Sequence, residues 1–531
     1  MGIPSYFSYI VKNHASIIRK IKSFKEPVNN LYLDSNSIIY DIFRNITFDG
    51  KTKEQYEREI MIGVCSKIEE YINTVKPNNT VIVAFDGVAP VAKLEQQRNR
   101  RYKSMFERDL MKHIDPQYKE LGWDQSAITP GTNFMNTLGS FIKDHFAKNR
   151  SNKYKKIIIS DINDVGEGEH KIFEYIRINQ AEHKNKITLI YGLDADLIML
   201  ALNHLPVSKG IYLYRETPHF IKTINSDLNP EEDYILNIPE LATAIANELS
   251  NYRKINSKQR DNRLYDYIFI CLFLGNDFMP HIPSVNIRTT GINILLNAYK
   301  ETIGSTNEYL TNGRVIYWKN VRKLVEVLKR DEYENLTDEY HLRRKIGKRT
   351  YNNEDVYDKF MGIPIRNREK EEFINPFEKG WEYRYYKTLF RIDVTREKKH
   401  DICINYLEAL EWTMKYYTIG CFDWGWCYKY NYAPLMKDLL ECIPVFEQEF
   451  IEKKEKQPLR PIEQLSYVLP KTALHLLPEN LKTQLLADHP EWYNTDCDID
   501  WMFCKYFWES HVVMKEIKLC KLKKIVNSIC V

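Results

Sequence analysis

Four short runs, "NLYLDSNS" (30–37), "TVIVAFDG" (80–87), "KKIIISD" (155–161) and "KITLIYGLDAD" (186–196), are apolar almost without a break until each reaches an acid. Alternating polarity would mark a strand with one wet face, whereas a continuous run of β-branched and aromatic residues marks a strand covered on both faces. Between the runs the spacing becomes helical. Ile60, Val64, Ile68 and Tyr71 recur at intervals of four, four and three, and the stretches about 91–112 and 134–148 also read as helices. Buried strands alternating with helices over the first 290 residues predict an α/β fold built on a parallel sheet.

The acids at the ends of these runs raise the chemical question. Asp34 ends the first run and Asp86 the second, while Asp194 and Asp196 follow the fourth. After the third comes "GEGEHK", which sets Glu167 and Glu169 at the start of a helix, and the later apolar segment 267–275 runs into "GNDF" with Asp277. Ligand sites of open parallel sheets form outside the carboxyl ends of the strands, so all seven carboxylates are expected at one edge. A single aspartate there is explained by helix capping or a turn. Seven are not: like charges ~5 Å apart repel by roughly 3 kcal/mol at an effective dielectric of 20. Cations must hold them. Hard oxygen donors without clustered His or Cys predict Mg²⁺, with Mn²⁺ as a substitute, rather than zinc. The number of acids predicts two ions, the arrangement that serves phosphodiester cleavage.

A second constellation lies in "KLEQQRNRR". On a helix over 91–112, Lys93, Gln97, Arg100 and Arg101 fall at i, i+4, i+7 and i+8, on one face directly after the Asp86 turn. A solvated basic face is the plain alternative. A fork of guanidinium donors beside an acid cluster is suited to a terminal phosphate.

Composition excludes several classes. The chain has 531 residues, 44% hydrophobic and 28% charged, which is ordinary for a globular protein with two or three folding units. Its longest apolar run, "YIFICLFL" (267–274), is too short to span a bilayer, and the start, "MGIPSY", has no secretory pattern. No C-x-x-C pair occurs among the ten cysteines. A zinc site, a disulfide framework and a disulfide-linked partner are therefore not expected, and an intracellular setting is. A net charge of +4 means that any nucleic acid must be met by local patches.

Further along, 331–400 is dense in charge and reads as an insertion or linker separating a first unit, 1–330, from a mainly helical region, 401–531. That last region opens with "YLEALEWTMKYYTIGCFDWGWCYKYNYAPL" (406–435). Most of its aromatics are expected in the core, and Trp424 and Trp426 of the DWGW turn are candidates for stacking on bases.

In order along the chain, "MGIPSYF", "LYLDSNSIIY", "VAFDGVAPVAKLEQQRNRR", "GEGEHKIFEYIR", "YGLDADLIML", "FLGNDFMPHIP", "WGWCYKYNYAPL" and "KQPLRPIEQLSYVLP" resemble the Xrn-type 5′→3′ exoribonuclease family. The resemblance implies a PIN-like α/β core braced by a second conserved region. It implies metal binding by Asp34, Asp86, Glu167, Glu169, Asp194, Asp196 and Asp277, a 5′-phosphate pocket of Lys93, Gln97, Arg100 and Arg101, and single-stranded RNA with a 5′-monophosphate as substrate. Tyr40 stands where the family usually has a base-stacking His, and Val91 replaces a residue that is commonly basic. A flap-type endonuclease and an inactive RNA-binding module are the competing readings.

Overall fold

The computed structural model describes residues 3, 5–118, 122–148, 154–216, 219–230, 232–348 and 355–529. Positions 1, 2 and 4 of the opening MGIPSYF motif lie outside the described residues.

The strands β1 (Ile18–Lys20), β2 (Asn30–Asp34), β3 (Thr80–Ala84), β4 (Lys156–Ser160), β5 (Ile187–Tyr191), β6 (Gly210–Glu216) and β7 (Asp233–Asn237) form one sheet, ordered β1-β7-β6-β5-β2-β3-β4. The four apolar runs become β2 to β5, and these strands pair in parallel, as does β6 on β5. The edge is antiparallel through β7 and β1, so the sheet is mixed. Register places Asp34 opposite Ala84 and Ala84 opposite Ser160, while Leu33 lies opposite Tyr191. The strands therefore end in line. One apolar cluster packs under each face: Ile190, Leu213 and Leu236 face one, Leu31, Val83 and Leu189 the other.

Flanking helices used below are α1 (Asn36–Asn45), α2 (Val91–Ile114), α3 (Gly168–Ile178), α4 (Asp196–His204), α5 (Ser257–Cys271), α6 (Trp318–Gly347), α7 (Arg396–Ile419) and α8 (Pro461–Val468). Pro90 precedes the first turn of α2, where the backbone has little need of its missing N–H. The apolar segment 267–275 is not a strand: it is the end of α5 followed by a 3₁₀ turn, Leu272–Leu274, so Asp277 arrives from a helix terminus.

The expected linker 331–400 is corrected. The thirty-residue α6 runs straight through position 331, and short helices follow up to Trp381–Phe390. Along α6, Val321, Leu324, Val325, Leu328, Leu336 and Tyr340 are buried at helical spacing beneath its charges. Leu336 and Tyr340 share a cluster with Tyr385, Ile402 and Phe503, so this segment is built into the second region. The large cluster under the sheet also takes in Trp412, Tyr416 and Met436, which joins the two regions through one core.

Candidate active site

The strand order reverses between β2 and β5: from β2 the chain moves outward to β3 and β4, and from β5 to β6 on the other side. Such a switch point leaves a crevice at the strand ends. Asp34 ends β2 on one flank of it, while Asp194 and Asp196 follow β5 on the other. Asp86 lies two residues beyond β3 and is gripped by Asn36, whose Nδ2 donates to Asp86 Oδ2 at 2.6 Å and whose Oδ1 accepts from the Asp86 amide at 3.0 Å. The first amide of α3, on Gly168, donates to Asp86 Oδ1 at 2.8 Å. A helix N-terminus favours an anion there. Only glycine allows that approach, because a β-carbon at 168 would stand 2.5 Å from Asp34 Oδ1.

Glu167 and Glu169, at the start of α3, are buried, as is Asp196 at the start of α4. Lys93, in the first turn of α2, reaches into the acids: its Nζ lies 2.6 Å from Glu167 Oε1 and 2.8 Å from Asp277 Oδ2. Burial works against the charge of Lys93, but Asp277 and Glu167 outweigh it and hold the ammonium well above its ordinary range. Burial also opposes ionisation of Asp277, and Lys93 more than compensates, so that carboxyl is lowered. Asp34, Glu169 and Asp196 shift the other way. Burial, then Asp86 and Asp194, push Asp34 well up; burial, then Asp196, push up Glu169; burial, then Asp277, push Asp196 to about 7. Among the described residues, Glu169 Oε2 and Asp196 Oδ1 are buried with no hydrogen-bond partner.

Orphaned oxygens and mutual repulsion of this kind would be relieved by cations, and the all-carboxylate donor set fits a hard divalent ion. Among the described residues no three of the acids already stand together as a finished metal cage. The fit lies in the donor chemistry and in the charge deficit.

The basic helix carries two kinds of arginine. Arg98 spends both terminal nitrogens on carbonyls of the second region, Lys515 at 2.9 Å and Trp492 at 2.8 Å, and so ties α2 down. Arg101 gives Nη2 to Thr129 Oγ1 at 2.7 Å, while its buried Nη1 has no partner among the described residues. Burial, then the neighbouring Arg100, lower its guanidinium to about 10. One turn earlier Gln97 Oε1 is likewise buried and unpartnered, and Arg100 is exposed. Tyr40, on α1, lies close enough to Arg101 to interact with it electrostatically.

Lys93 is thus drawn to the acids, whereas Gln97 and Arg101, four residues apart on the same helix, each keep a buried polar atom without a partner among the described residues. Trp424 and Trp426 also part company. The Trp424 carbonyl accepts from the amide of Val91, the first residue of α2, at 2.9 Å. Trp426 is already stacked on Trp412 with centroids 5.2 Å apart, and its indole N–H bonds Glu408 at 3.2 Å.

That stack continues inward. Trp412 lies on Tyr416 at 4.8 Å and Tyr416 on His170 at 3.7 Å, and the Tyr416 hydroxyl donates to Glu167 Oε2 at 2.9 Å. Asn36, Tyr416 and Thr129 are site residues that sequence reasoning missed. Asn36 had a local signal, two positions after Asp34; the others have none within their own segments.

Comparison with known proteins identifies the family. Residues 1–217 match the family described as XRN 5′-3′ exonuclease N-terminus, and residues 257–372 and 365–526 match the Xrn1 helical domain. The chain is 26% identical to 5′-3′ exoribonuclease 2 of Gallus gallus, over all of this chain and 70% of that protein. It is 26% identical to 5′-3′ exoribonuclease 2 of Arabidopsis thaliana, over 96% of this chain and 65% of that one. It is 27% identical to 5′-3′ exoribonuclease 1 of Saccharomyces cerevisiae, over 90% of this chain and 40% of that one. With both family regions matched in order along nearly its whole length, the chain belongs to the Xrn family of 5′-3′ exonucleases.

Proposed function

We propose that this exonuclease removes nucleotides stepwise from the 5′ end of single-stranded RNA, selects a 5′-monophosphate, and releases nucleoside 5′-monophosphates. The observation that carries the reading is Arg101: a half-buried side chain whose Nη1 is buried and has no partner among the described residues, on the helix whose first turn enters the acid cluster. A buried cation without a counter-charge is costly unless a ligand supplies one, and a terminal phosphate does so with charge-assisted bonds. Gln97 and Arg100 add to this grip, and Tyr40 offers an aromatic face to the leading base. From Lys93 to Arg101 is eight residues, ~12 Å along the helix axis, so phosphate capture and cleavage are fixed relative to each other by one rigid element.

Two divalent cations, Mg²⁺ or Mn²⁺ in its place, held among Asp34, Asp86, Glu167, Glu169, Asp194, Asp196 and Asp277, would activate water and neutralise charge at the leaving 3′-oxygen. The protein's own groups set the geometry. Asn36 and the Gly168 amide orient Asp86, Tyr416 orients Glu167, and Lys93 pairs with both Glu167 and Asp277.

The test compares initial rates on 5′-monophosphate, 5′-hydroxyl, 5′-triphosphate and capped RNA, for wild type and Arg101→Ala. Wild type is expected to degrade the monophosphate form at least tenfold faster than the others, and Arg101→Ala to lose most of its advantage over 5′-hydroxyl RNA. Equal wild-type rates on all four, or internal cleavage products, would overturn the reading.

A further inference from the structure

Arg101 differs from Arg343 in what it is paired with. Arg343 meets the Glu371 carboxylate, with Nη2 to Oε1 at 2.6 Å, and its charge is cancelled. Each terminal nitrogen of Arg98 has a carbonyl acceptor. The terminal nitrogens of Arg101 are given one protein acceptor among the described residues, a neutral hydroxyl, on Thr129. That hydroxyl is fully buried and has no freedom of role: its single proton goes to the Ser126 carbonyl at 2.6 Å, so toward Arg101 it can only accept. A neutral acceptor fixes the plane of the guanidinium without forming an ion pair with it, and Asp124 acts on that charge only as the last of the neighbours that influence it, after burial, Arg100 and Tyr40.

The Thr129 loop is itself held from two sides. Asp124 accepts from the Ser126 amide at 2.9 Å, and Thr132 Oγ1 donates to the Ala127 carbonyl at 2.6 Å. Gly131, at φ +96°, lies so close to α8 that a β-carbon there would come within 2.9 Å of Pro461 Cβ. From α8 itself, Gln464 Oε1 accepts from the Ala89 amide at 3.0 Å, just before α2 begins. One helix of the second region thus braces both the start of α2 and the loop that aims Arg101.

We propose that Thr129 is a positioning residue for end recognition: it aims the Arg101 guanidinium at the terminal phosphate without neutralising it. The inference rests on the phosphate-pocket reading above and adds to it the residue that sets the pocket's geometry and charge.

The experiment measures kcat and KM on 5′-monophosphate and 5′-hydroxyl RNA for wild type, Thr129→Val and Thr129→Ser, with thermal unfolding of each protein as a check of folding. Thr129→Val keeps the shape and removes the acceptor. Its ratio of kcat/KM between the two RNAs is expected to fall about tenfold, mainly through a higher KM on the monophosphate. Thr129→Ser restores the hydroxyl and should hold the ratio within about twofold of wild type. A folding defect alone would lower the rates on both RNAs alike, and that result overturns the role. So does a wild-type ratio in Thr129→Val. A wild type without any preference overturns the pocket reading itself, whereas a preference that survives Thr129→Val overturns only the role of Thr129.

Discussion

The hydroxyl of Tyr416 donates to Oε2 of Glu167 at 2.9 Å, across 249 positions of sequence. Glu167 Oε1 meanwhile faces Lys93, so each oxygen of this buried carboxylate has its own partner from a different helix. The second region therefore supplies a donor to an acid of the first as well as covering the sheet. Tyr416→Phe deletes that donor and keeps the ring in its stack between Trp412 and His170. A hydrogen bond to a charged group contributes about 1.5–3 kcal/mol, so the expected fall in kcat is roughly tenfold to a hundredfold with little change in KM for RNA. The Mg²⁺ concentration for half-maximal rate should rise as well. A variant with wild-type kcat and Mg²⁺ dependence would reduce Tyr416 to packing.

Lys93 is both a member of the basic helix face and the cation between Glu167 and Asp277. Breaking a buried ion pair by removing one partner costs about 3–5 kcal/mol, because the other charge is left uncompensated. Lys93→Met should therefore lower the thermal midpoint clearly in EDTA, and Mg²⁺ should restore much of the loss by taking over the neutralisation. Thermal unfolding with and without Mg²⁺ checks this. A loss of equal size in both conditions would mean that divalent ions do not reach these acids.

How much of this was legible depended on the distance between partners in sequence. The parallel strands β2 to β5 and the basic helix could be read because each is marked within about ten residues, by an unbroken apolar run or a helical repeat. The segment 331–400 was misread because its charges outnumber the apolar stripe through Leu336 and Tyr340, which a strict count at intervals of three and four would have caught. The position of Lys93 among the acids, the ladder from Trp426 to His170, and the bond from Arg101 to Thr129 are tertiary facts. Nothing within α2 says which of its cations turns inward to Glu167 and which to a hydroxyl.

Gly168 tests how tightly the strand ends are packed. A β-carbon would meet Asp34 Oδ1 at 2.5 Å and the Ala84 carbonyl oxygen at 3.0 Å, and the backbone there cannot retreat without breaking the amide bond to Asp86. Gly168→Ala should fold, with a penalty of about 1–3 kcal/mol for overpacking, and lose at least ~100-fold in rate because two acids shift together. Near-normal activity would show that the position of Asp34 is not critical.

Asp196 separates stability from chemistry most cleanly. It is buried, burial and Asp277 push its carboxyl to about 7, and its Oδ1 has no hydrogen-bond partner among the described residues. In EDTA at pH 8 the ionised group is a net burden on the fold, because it is desolvated beside like charges. Asp196→Asn keeps the shape and removes the charge, so its thermal midpoint in EDTA should equal or exceed that of wild type. Its rate with saturating Mg²⁺ should fall by at least ~100-fold, since an amide is a poorer ligand for a hard cation and restores none of the missing charge. The two measurements pull in opposite directions only if the cluster is a cation site that the fold tolerates for the sake of catalysis. A variant that is both less stable in EDTA and fully active would place Asp196 among ordinary helix-capping residues and return the acids of this crevice to a structural role.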